Sequence, residues 1–486
     1  MFTLNNPSIY QGKRVTVMGL GLYKQGTGIE AVKFFLRQGA VVTVTDLRSA
    51  KELEESVQGL VKYYGRLPRT KGVGWGLVPR RGMGQAPTLR FVFGKHREED
   101  FKNTDLVFQN PSVPATSPYL RLAARHKIPI VNDWSIFLSQ HTPKLFVGVT
   151  GTRGKSTTTA LIYEMLKKHY HSPSRTTVRV SGNLGVSPLS FINEYKGEPI
   201  VAELSSWLLH HFPGVKKSPN VAVVTNIMND HLDKYRSTRE YIEDKENVFR
   251  FQETKDILVL NYDNAVTRVM AKKARGKVLW FSAEKRLPRW VPLEDLQIPG
   301  EHNRANALAA AVAAEAAGVG RRDIAQVLKT FRGLPNRLEL VRKVHGVSYY
   351  NDTTATTPDA TIAALKTLGA SVERLRSRDR QCIVLIAGGA DKRLAYEELA
   401  KYVKAYCKAV VLLKGSATAK FQKALNARRY SLDAKVVGSM REAVHITAKH
   451  VQEGDIVLLS PAAASFGLFK NEFDRGTQFV AQVKKL

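Results

Sequence analysis

Short apolar runs alternate with amphipathic stretches along most of this chain. Arg14-Val-Thr-Val-Met-Gly19 reads as a strand, glycines follow at 19, 21, 26 and 28, and Ile29 to Gln38 reads as a helix. Gly39 ends that helix, because a residue without Cβ takes the left-handed conformation of a helix C-terminus at little cost. Val41-Val-Thr-Val-Thr45 is the next strand, closing on Asp46 and Arg48. The alternation resumes with strand Leu145–Thr150, helix Ala160–Leu166, and strands Pro199–Glu203 and Val221–Thr225. A helical stretch spans Thr238–Phe249, and an Ala-rich helix runs from Asn303 to Ala317 and stops at Gly318. Beyond Leu334 the apolar strands are Gln381–Ile386, Ala409–Leu413 and Asp455–Leu459. Near-continuous apolar strands separated by helices predict parallel sheets covered on both faces. The fold class expected is α/β, with three consecutive domains over residues 1–142, 143–333 and 334–486.

Composition narrows this little. A length of 486 residues fits about three domains at ~150 residues each, and 43% hydrophobic residues can supply each with a core. No apolar run approaches the roughly 18 residues of a membrane span, and the polar start is no signal peptide, so a cytoplasmic protein without membrane insertion is expected. Cys382 and Cys407 lie in apolar surroundings, as core thiols of a reducing compartment do. The net charge of +31 is spread along the chain with one concentration. Residues 56–97 hold no acidic residue and carry Lys62, Arg66, Arg69, Lys71, Arg80, Arg81, Arg90, Lys95 and Arg97. Glycines and prolines interrupt this segment, so it reads as a solvated basic loop. Nucleic acid is the disfavoured partner, because no binding motif accompanies the charge.

Candidate chemistry concentrates after three strands. Thr150-Gly-Thr-Arg-Gly-Lys-Ser-Thr-Thr-Thr159 lies between a strand and a helix. Backbone N–H groups at such a turn, with the helix start, make a concavity for phosphate. Lys155 would reach the terminal phosphates and Ser156 would ligate Mg²⁺, although Val149 stands where a strict P-loop has glycine. Glu203 ends an apolar strand, where a carboxylate faces the ligand crevice of a doubly wound sheet and can take a hard cation. His231 sits between Asp230 and Asp233 beyond another strand end; Lys245, taken alone, is a solvated lysine. Asn303 and Asn306 at the Ala-rich helix suit an adenine edge or helix capping. The Gly19–Gly28 spacing is not G-x-G-x-x-G and points to some phosphorylated ligand rather than NAD.

Thr150-Gly-Thr-Arg-Gly-Lys-Ser-Thr157, Asn229-Asp-His-Leu-Asp233, Glu301-His-Asn-Arg-Ala-Asn-Ala307 and Leu334-Pro-Asn-Arg-Leu-Glu339 follow one another along the chain. Together they resemble the ATP-dependent Mur ligases of peptidoglycan synthesis. Asn351-Asp-Thr-Thr-Ala-Thr-Thr-Pro358, Gly388-Gly-Ala-Asp-Lys392, Ser460–Phe466, Phe469-Lys-Asn471 and Arg475-Gly476 carry a finer match to members that add glutamate to UDP-N-acetylmuramoyl-L-alanine. The resemblance implies a Rossmann-like N-terminal domain for the UDP-sugar, a central P-loop ATPase, and a Rossmann-like C-terminal domain bringing the amino acid. It implies ATP bound by Gly151, Thr152, Gly154, Lys155, Ser156, Thr157, Asn303, Asn306, Arg337 and Asp352. Two Mg²⁺ ions would be held by Ser156 and Glu203 and by His231 with Lys245 as its carbamate. Lys155, His231 and Lys245 would be catalytic, Asp46, Arg48 and Asn183 would contact the UDP-sugar, and Lys392, Ser465 and Phe466 the glutamate. A monomer is expected.

Several positions depart from the family pattern. Thr354 replaces a lysine, Asn471-Glu-Phe473 replaces Asn-Phe-Glu, Leu208 replaces Gln, and the Gly19–Gly28 loop is longer. D-glutamate is the favoured amino acid, and a sister ligase using L-glutamate or another amino acid is the alternative. Folylpolyglutamate synthetase shares the phosphate loop but not the Asp46/Arg48 uridine-type domain. A nucleic-acid-binding ATPase is the rival from another class.

Overall fold

The computed structural model describes residues 10–21, 26–66, 88–171, 176–182, 186–228, 235, 237–373, 381–392, 394–427 and 434–486, and of residues 370–373 the backbone only. Among them the first sheet comprises β1 (Arg14–Met18), β2 (Val41–Asp46), β3 (Thr88–Phe93), β4 (Leu106–Gln109) and β5 (Ile130–Val131). All strands are parallel in the order β3-β2-β1-β4-β5. The order reverses between β1 and β4, so their carboxyl ends open a crevice in which such sheets bind ligands. The helix Thr27–Arg37 covers one face with Ile29, Val32, Phe34, Phe35 and Leu36, all buried. Phe35 meets Tyr10 and Phe108 edge-on at 5.2 and 6.1 Å. Burying each such ring contributes about 1.5–3 kcal/mol.

The basic segment is corrected at both ends. Residues 56–64 lie in the helix Glu54–Tyr64, and residues 88–93 are β3; residues 67–87 fall outside the described residues. Leu60 is buried, and Val57, Tyr64, Leu89, Phe91 and Phe93 pack against the same core. The apolar periodicity beneath the charges, rather than the charges themselves, decides the local structure.

The second sheet comprises β6 (Phe146–Thr150), β7 (Arg179–Gly182), β8 (Ile200–Glu203), β9 (Val221–Val224), β10 (Ile257–Asn261) and β11 (Lys277–Phe281). Its order is β11-β10-β9-β6-β8-β7, again all parallel. Every residue of β6, β8 and β9 is buried, as strands covered on both faces must be. One hydrophobic cluster runs through both sheets, from Tyr10 to Met270. Polar ties join them too: Asn132 Nδ2 donates to Leu208 O at 2.9 Å, and His211 Nε2 lies 2.9 Å from Gln109 Oε1.

The third sheet comprises β12 (Glu339–Val344), β13 (Val347–Asn351), β14 (Ile383–Gly388), β15 (Cys407–Leu413), β16 (Ala434–Val437) and β17 (Ile456–Leu459). The order is β12-β13-β17-β14-β15-β16, parallel except for the antiparallel pair β12–β13. That hairpin turns at His345 and Gly346, both at positive φ, which matches the twist of its strands. Strand–helix alternation did not foresee it, because β12 is an edge strand of mixed polarity with no apolar run. Contacts divide the chain into two compact units, residues 1–293 with 304–328 and residues 294–303 with 329–486. The division passes between Asn303 and Arg304 within the helix Glu301–Ala316. Among the described residues no helix is long and apolar enough to cross a membrane.

Candidate active site

The phosphate loop leaves the carboxyl end of β6 between the ends of β8 and β9, at the centre of its sheet. Gly151 has φ +144° and Gly154 φ +82°. A Cβ at Gly151 would lie 2.0 Å from Thr225 Oγ1, and one at Gly154 would lie 2.1 Å from Asn306 Oδ1. Both positions therefore demand glycine on steric as well as backbone grounds. Thr225 Oγ1 donates to Arg153 O at 2.6 Å, while Asn226 takes Thr152 N–H on its carbonyl at 2.8 Å and Arg153 N–H on Oδ1 at 2.9 Å. Thr152 braces the loop further: its hydroxyl lies 3.0 Å from Tyr241 OH and accepts from Met228 N–H at 2.9 Å. Its backbone N–H and hydroxyl are thus both engaged within the protein. The helix Lys155–His171 follows at once, and its first intrahelical bond runs from Thr158 N–H to Gly154 O at 3.0 Å. The N–H groups ahead of that bond are the ones a helix start offers to an anion.

Lys245 is not the solvated lysine that its local sequence suggests. It is 2% exposed, and Nζ donates to Gly151 O at 2.8 Å and lies 4.7 Å from the Tyr241 ring centroid. Lys155 Nζ donates to the same carbonyl at 3.0 Å and to Thr152 O at 2.9 Å. Glu203 pairs in register with Val149, at the base of the loop, and is buried; its Oε2 has no hydrogen-bond partner among the described residues. A buried carboxylate oxygen without a donor is costly unless a cation takes it. Together with the buried Ser156 at the helix start, it fits a Mg²⁺ site. His231 and Asn183 lie outside the described residues.

Asn306 is buried against Gly154, beside the loop. Asn303 belongs to the other unit, and its Nδ2 donates to Pro299 O at 2.7 Å. Both asparagines lie within the helix Glu301–Ala316 rather than capping it. In the first sheet, Asp46 ends β2 almost fully buried, accepting from Leu20 N–H at 2.9 Å and from Arg48 N–H at 3.0 Å. The carboxylate thereby ties the glycine-rich turn to the neighbouring strand end, and the Arg48 guanidinium stands 3.4 Å away.

The second unit gathers its expected residues at the carboxyl ends of β13, β14 and β17. Asp352 Oδ1 accepts from Leu338 N–H at 3.1 Å and Oδ2 from Ser460 Oγ at 2.9 Å. Burial pushes the Asp352 carboxyl up to about 7, opposed by those bonds and by the Arg337 charge. Ala390 and Ala464 form a two-way backbone bridge, which sets Lys392 and Ser465 on paired segments. Lys392 Nζ donates to Thr356 Oγ1 at 2.7 Å, Ser465 is buried, and Phe466 is 58% exposed. Thr354, at the family's lysine position, donates to Asn336 O at 2.9 Å. Sequence reading assigned no role to Arg475, which is fully buried. It donates to Thr353 Oγ1 at 3.0 Å, Thr353 O at 2.8 Å and Ala463 O at 3.2 Å. Its helical spacing with Phe479 and Val483, on the buried face of the helix Glu472–Val483, was the available signal.

A family model of the Mur ligase middle domain matches residues 149–292, and one of the Mur ligase glutamate ligase domain matches residues 336–463. The chain belongs to the Mur ligase family. This Mur ligase is 38% identical to a UDP-N-acetylmuramoylalanine–D-glutamate ligase of Roseiflexus sp. (strain RS-1), over 96% of this chain and 97% of the relative. A protein of the same name from Borreliella afzelii (strain PKo) is 35% identical, with 97% of each chain covered. Among solved structures, a UDP-N-acetylmuramate-alanine ligase from Thermotoga maritima shares the fold at TM-score 0.60 and 20% identity, covering 97% of this chain and 99% of its own. The Mur ligase middle-domain match encloses the phosphate loop, Glu203 and Lys245, and the glutamate-ligase match encloses Asp352 and Lys392.

Proposed function

We propose that this Mur ligase joins D-glutamate to UDP-N-acetylmuramoyl-L-alanine with cleavage of ATP to ADP and phosphate, in the cytoplasm and as a monomer. The observation that carries the reading is full-length similarity to relatives named as D-glutamate ligases. The braced phosphate loop with two lysines on one carbonyl adds physical support. Residues 1–142 take the UDP-sugar through Asp46, Arg48 and Asn183 beyond them, residues 143–333 the ATP phosphates, and residues 334–486 the glutamate through Lys392, Ser465 and Phe466. Asn303, Asn306, Arg337 and Asp352 serve the rest of the nucleotide.

Ser156 and Glu203, and His231 with a carbamylated Lys245, would hold Mg²⁺, which neutralises charge on the phosphates. A carbamate suits Lys245 chemically, since an ammonium repels a cation whereas its CO₂ adduct offers anionic oxygen. Lys155 orients and neutralises the γ-phosphoryl group while the substrate carboxylate oxygen attacks phosphorus in line and ADP leaves. The resulting acyl phosphate accepts the neutral amine of glutamate at its carbonyl carbon. Phosphate departs, the nitrogen loses a proton, and an amide remains. Water must be excluded meanwhile, because an acyl phosphate hydrolyses readily.

Phosphate release with UDP-N-acetylmuramoyl-L-alanine and ATP, measured against D-Glu, L-Glu and other amino acids separately, tests the proposal. Release dependent on D-Glu is expected. Release with L-Glu alone would establish the sister activity, the alternative raised by Thr354 in place of lysine and Glu472 in place of an aromatic. No amino-acid-dependent release at all would overturn the ligase reading.

A further inference from the structure

Arg337 stands between two residues with left-handed backbone, Asn336 at φ +66° and Leu338 at φ +46°. In that conformation a Cβ crowds the following carbonyl oxygen, so of the two only asparagine adopts it readily. Such a turn persists where its surroundings hold it. Asn336 N–H donates to Glu339 Oε2 at 2.8 Å, and Asn336 Oδ1 accepts from Nδ2 of the buried Asn351 at 3.0 Å. Leu338 N–H donates to Asp352 Oδ1 at 3.1 Å. Gly476 packs against the same asparagine, since a Cβ there would lie 2.3 Å from Asn336 Oδ1. Arg337 itself is exposed.

Thr354 holds the Asn336 carbonyl, to which its N–H and its hydroxyl donate at 3.3 and 2.9 Å. That carbonyl lies in the peptide plane joining Asn336 to Arg337, so fixing it fixes the direction in which the Arg337 backbone leaves the turn. Threonine is branched at Cβ and has few rotamers, so its short hydroxyl is committed to this acceptor. A lysine at 354, the family's usual residue, would carry its donors at the far end of a flexible stem. On the function proposed above, Arg337 serves the nucleotide. The departure at 354 therefore bears on ATP rather than on the choice of amino acid.

We propose that Thr354 is a positioning residue for Arg337, locking the turn that presents the guanidinium to ATP. The inference rests on the ligase reading and on the nucleotide role it gives Arg337. The test is steady-state phosphate release by the full chain bearing Thr354→Val, Arg337→Ala or both, with KM measured for ATP, D-Glu and UDP-N-acetylmuramoyl-L-alanine. Thr354→Val removes one hydrogen bond and keeps the backbone one, so the ATP KM is expected to rise roughly 3- to 10-fold while the other two stay within about twofold. Thr354→Ser, which keeps the hydroxyl, should retain the parent ATP KM. In the Arg337→Ala background Thr354→Val should add nothing, because a residue acting through another has no effect once that other is gone. Thermal unfolding of each variant reports folding separately, and Thr354→Ala carries the same expectation should the valine variant not fold. An unchanged ATP KM in Thr354→Val, a rise confined to the D-Glu KM, or an undiminished effect in the absence of Arg337 would overturn the inference. Arg337→Ala with the parent ATP KM would overturn it at its premise, the nucleotide role of Arg337. A parent enzyme without amino-acid-dependent turnover would refute the ligase reading and the inference with it.

Discussion

Lys155 and Lys245 donate to the same oxygen, the carbonyl of Gly151, from 3.0 and 2.8 Å. Two lysine side chains thus converge on one loop oxygen. On the function proposed above, Lys155 serves the terminal phosphate and CO₂ addition to the neutral Lys245 amine makes it an anionic carbamate. Lys245→Ala is accordingly expected to abolish turnover, with partial recovery in the presence of a short carboxylic acid such as acetate. Lys155→Ala is expected to lose turnover without such recovery. Full activity of Lys245→Ala in the phosphate-release assay would end the carbamate proposal.

Gly154→Ala places a methyl 2.1 Å from Asn306 Oδ1 at a φ of +82°. The strain amounts to about 1–3 kcal/mol, and the loop is expected to relieve it by moving. ADP binding measured by calorimetry should weaken at least tenfold. Removing the clash with Asn306→Ala should restore only part of it, since the backbone conformation still disfavours a side chain.

Asp133 gives stability a definite pH dependence. Burial raises its carboxyl from 3.8 to about 6, so the native state holds this proton more tightly than the unfolded chain does. Its contribution to stability is fully present below about pH 4 and is lost as pH rises through 6. The total is on the order of 3 kcal/mol, because each tenfold gain in proton affinity is worth about 1.4 kcal/mol. In urea titrations between pH 4.5 and 7.5, the parent should lose stability relative to Asp133→Asn as pH rises to about 6, with no further difference above. A constant difference would show that the carboxyl titrates alike in both states.

Arg475 is cationic at neutral pH although burial pulls it down to about 10. Arg475→Met removes donors from Thr353 O and Ala463 O, leaving buried acceptors unpaired. A loss of about 2–4 kcal/mol is expected in chemical denaturation, and a raised KM for glutamate should accompany it, because Ala463 adjoins the Ser465–Phe466 segment. Wild-type values of both would show that neither carbonyl depends on the guanidinium.

Parts of the site were legible because their signals are local. The Gly154-Lys155-Ser156 run between an apolar strand and a helix announces a phosphate loop, and the apolar approach to Glu203 marks a strand end. Thr225 and Asn226 were less legible. A polar pair after a strand is common, and its role as brace follows from β9 lying beside β6. The edge strand β12 lacked an apolar run, and the basic segment hid a helix under its charges.

The sequence by itself determined the α/β class, the apolar strands β1, β2, β6, β8, β9, β14, β15 and β17, the phosphate loop and the family, since periodicity, turn residues and short motifs act over a few neighbouring positions. Tertiary structure alone decided that Lys245 is buried on a carbonyl 94 residues away, that Glu203 Oε2 faces no donor among the described residues, and that Asp133 accepts from Ser187, 54 residues away. Each depends on which strands become neighbours and which side chains lose water together. Those are properties of the assembled sheets, and no local run of residues encodes them.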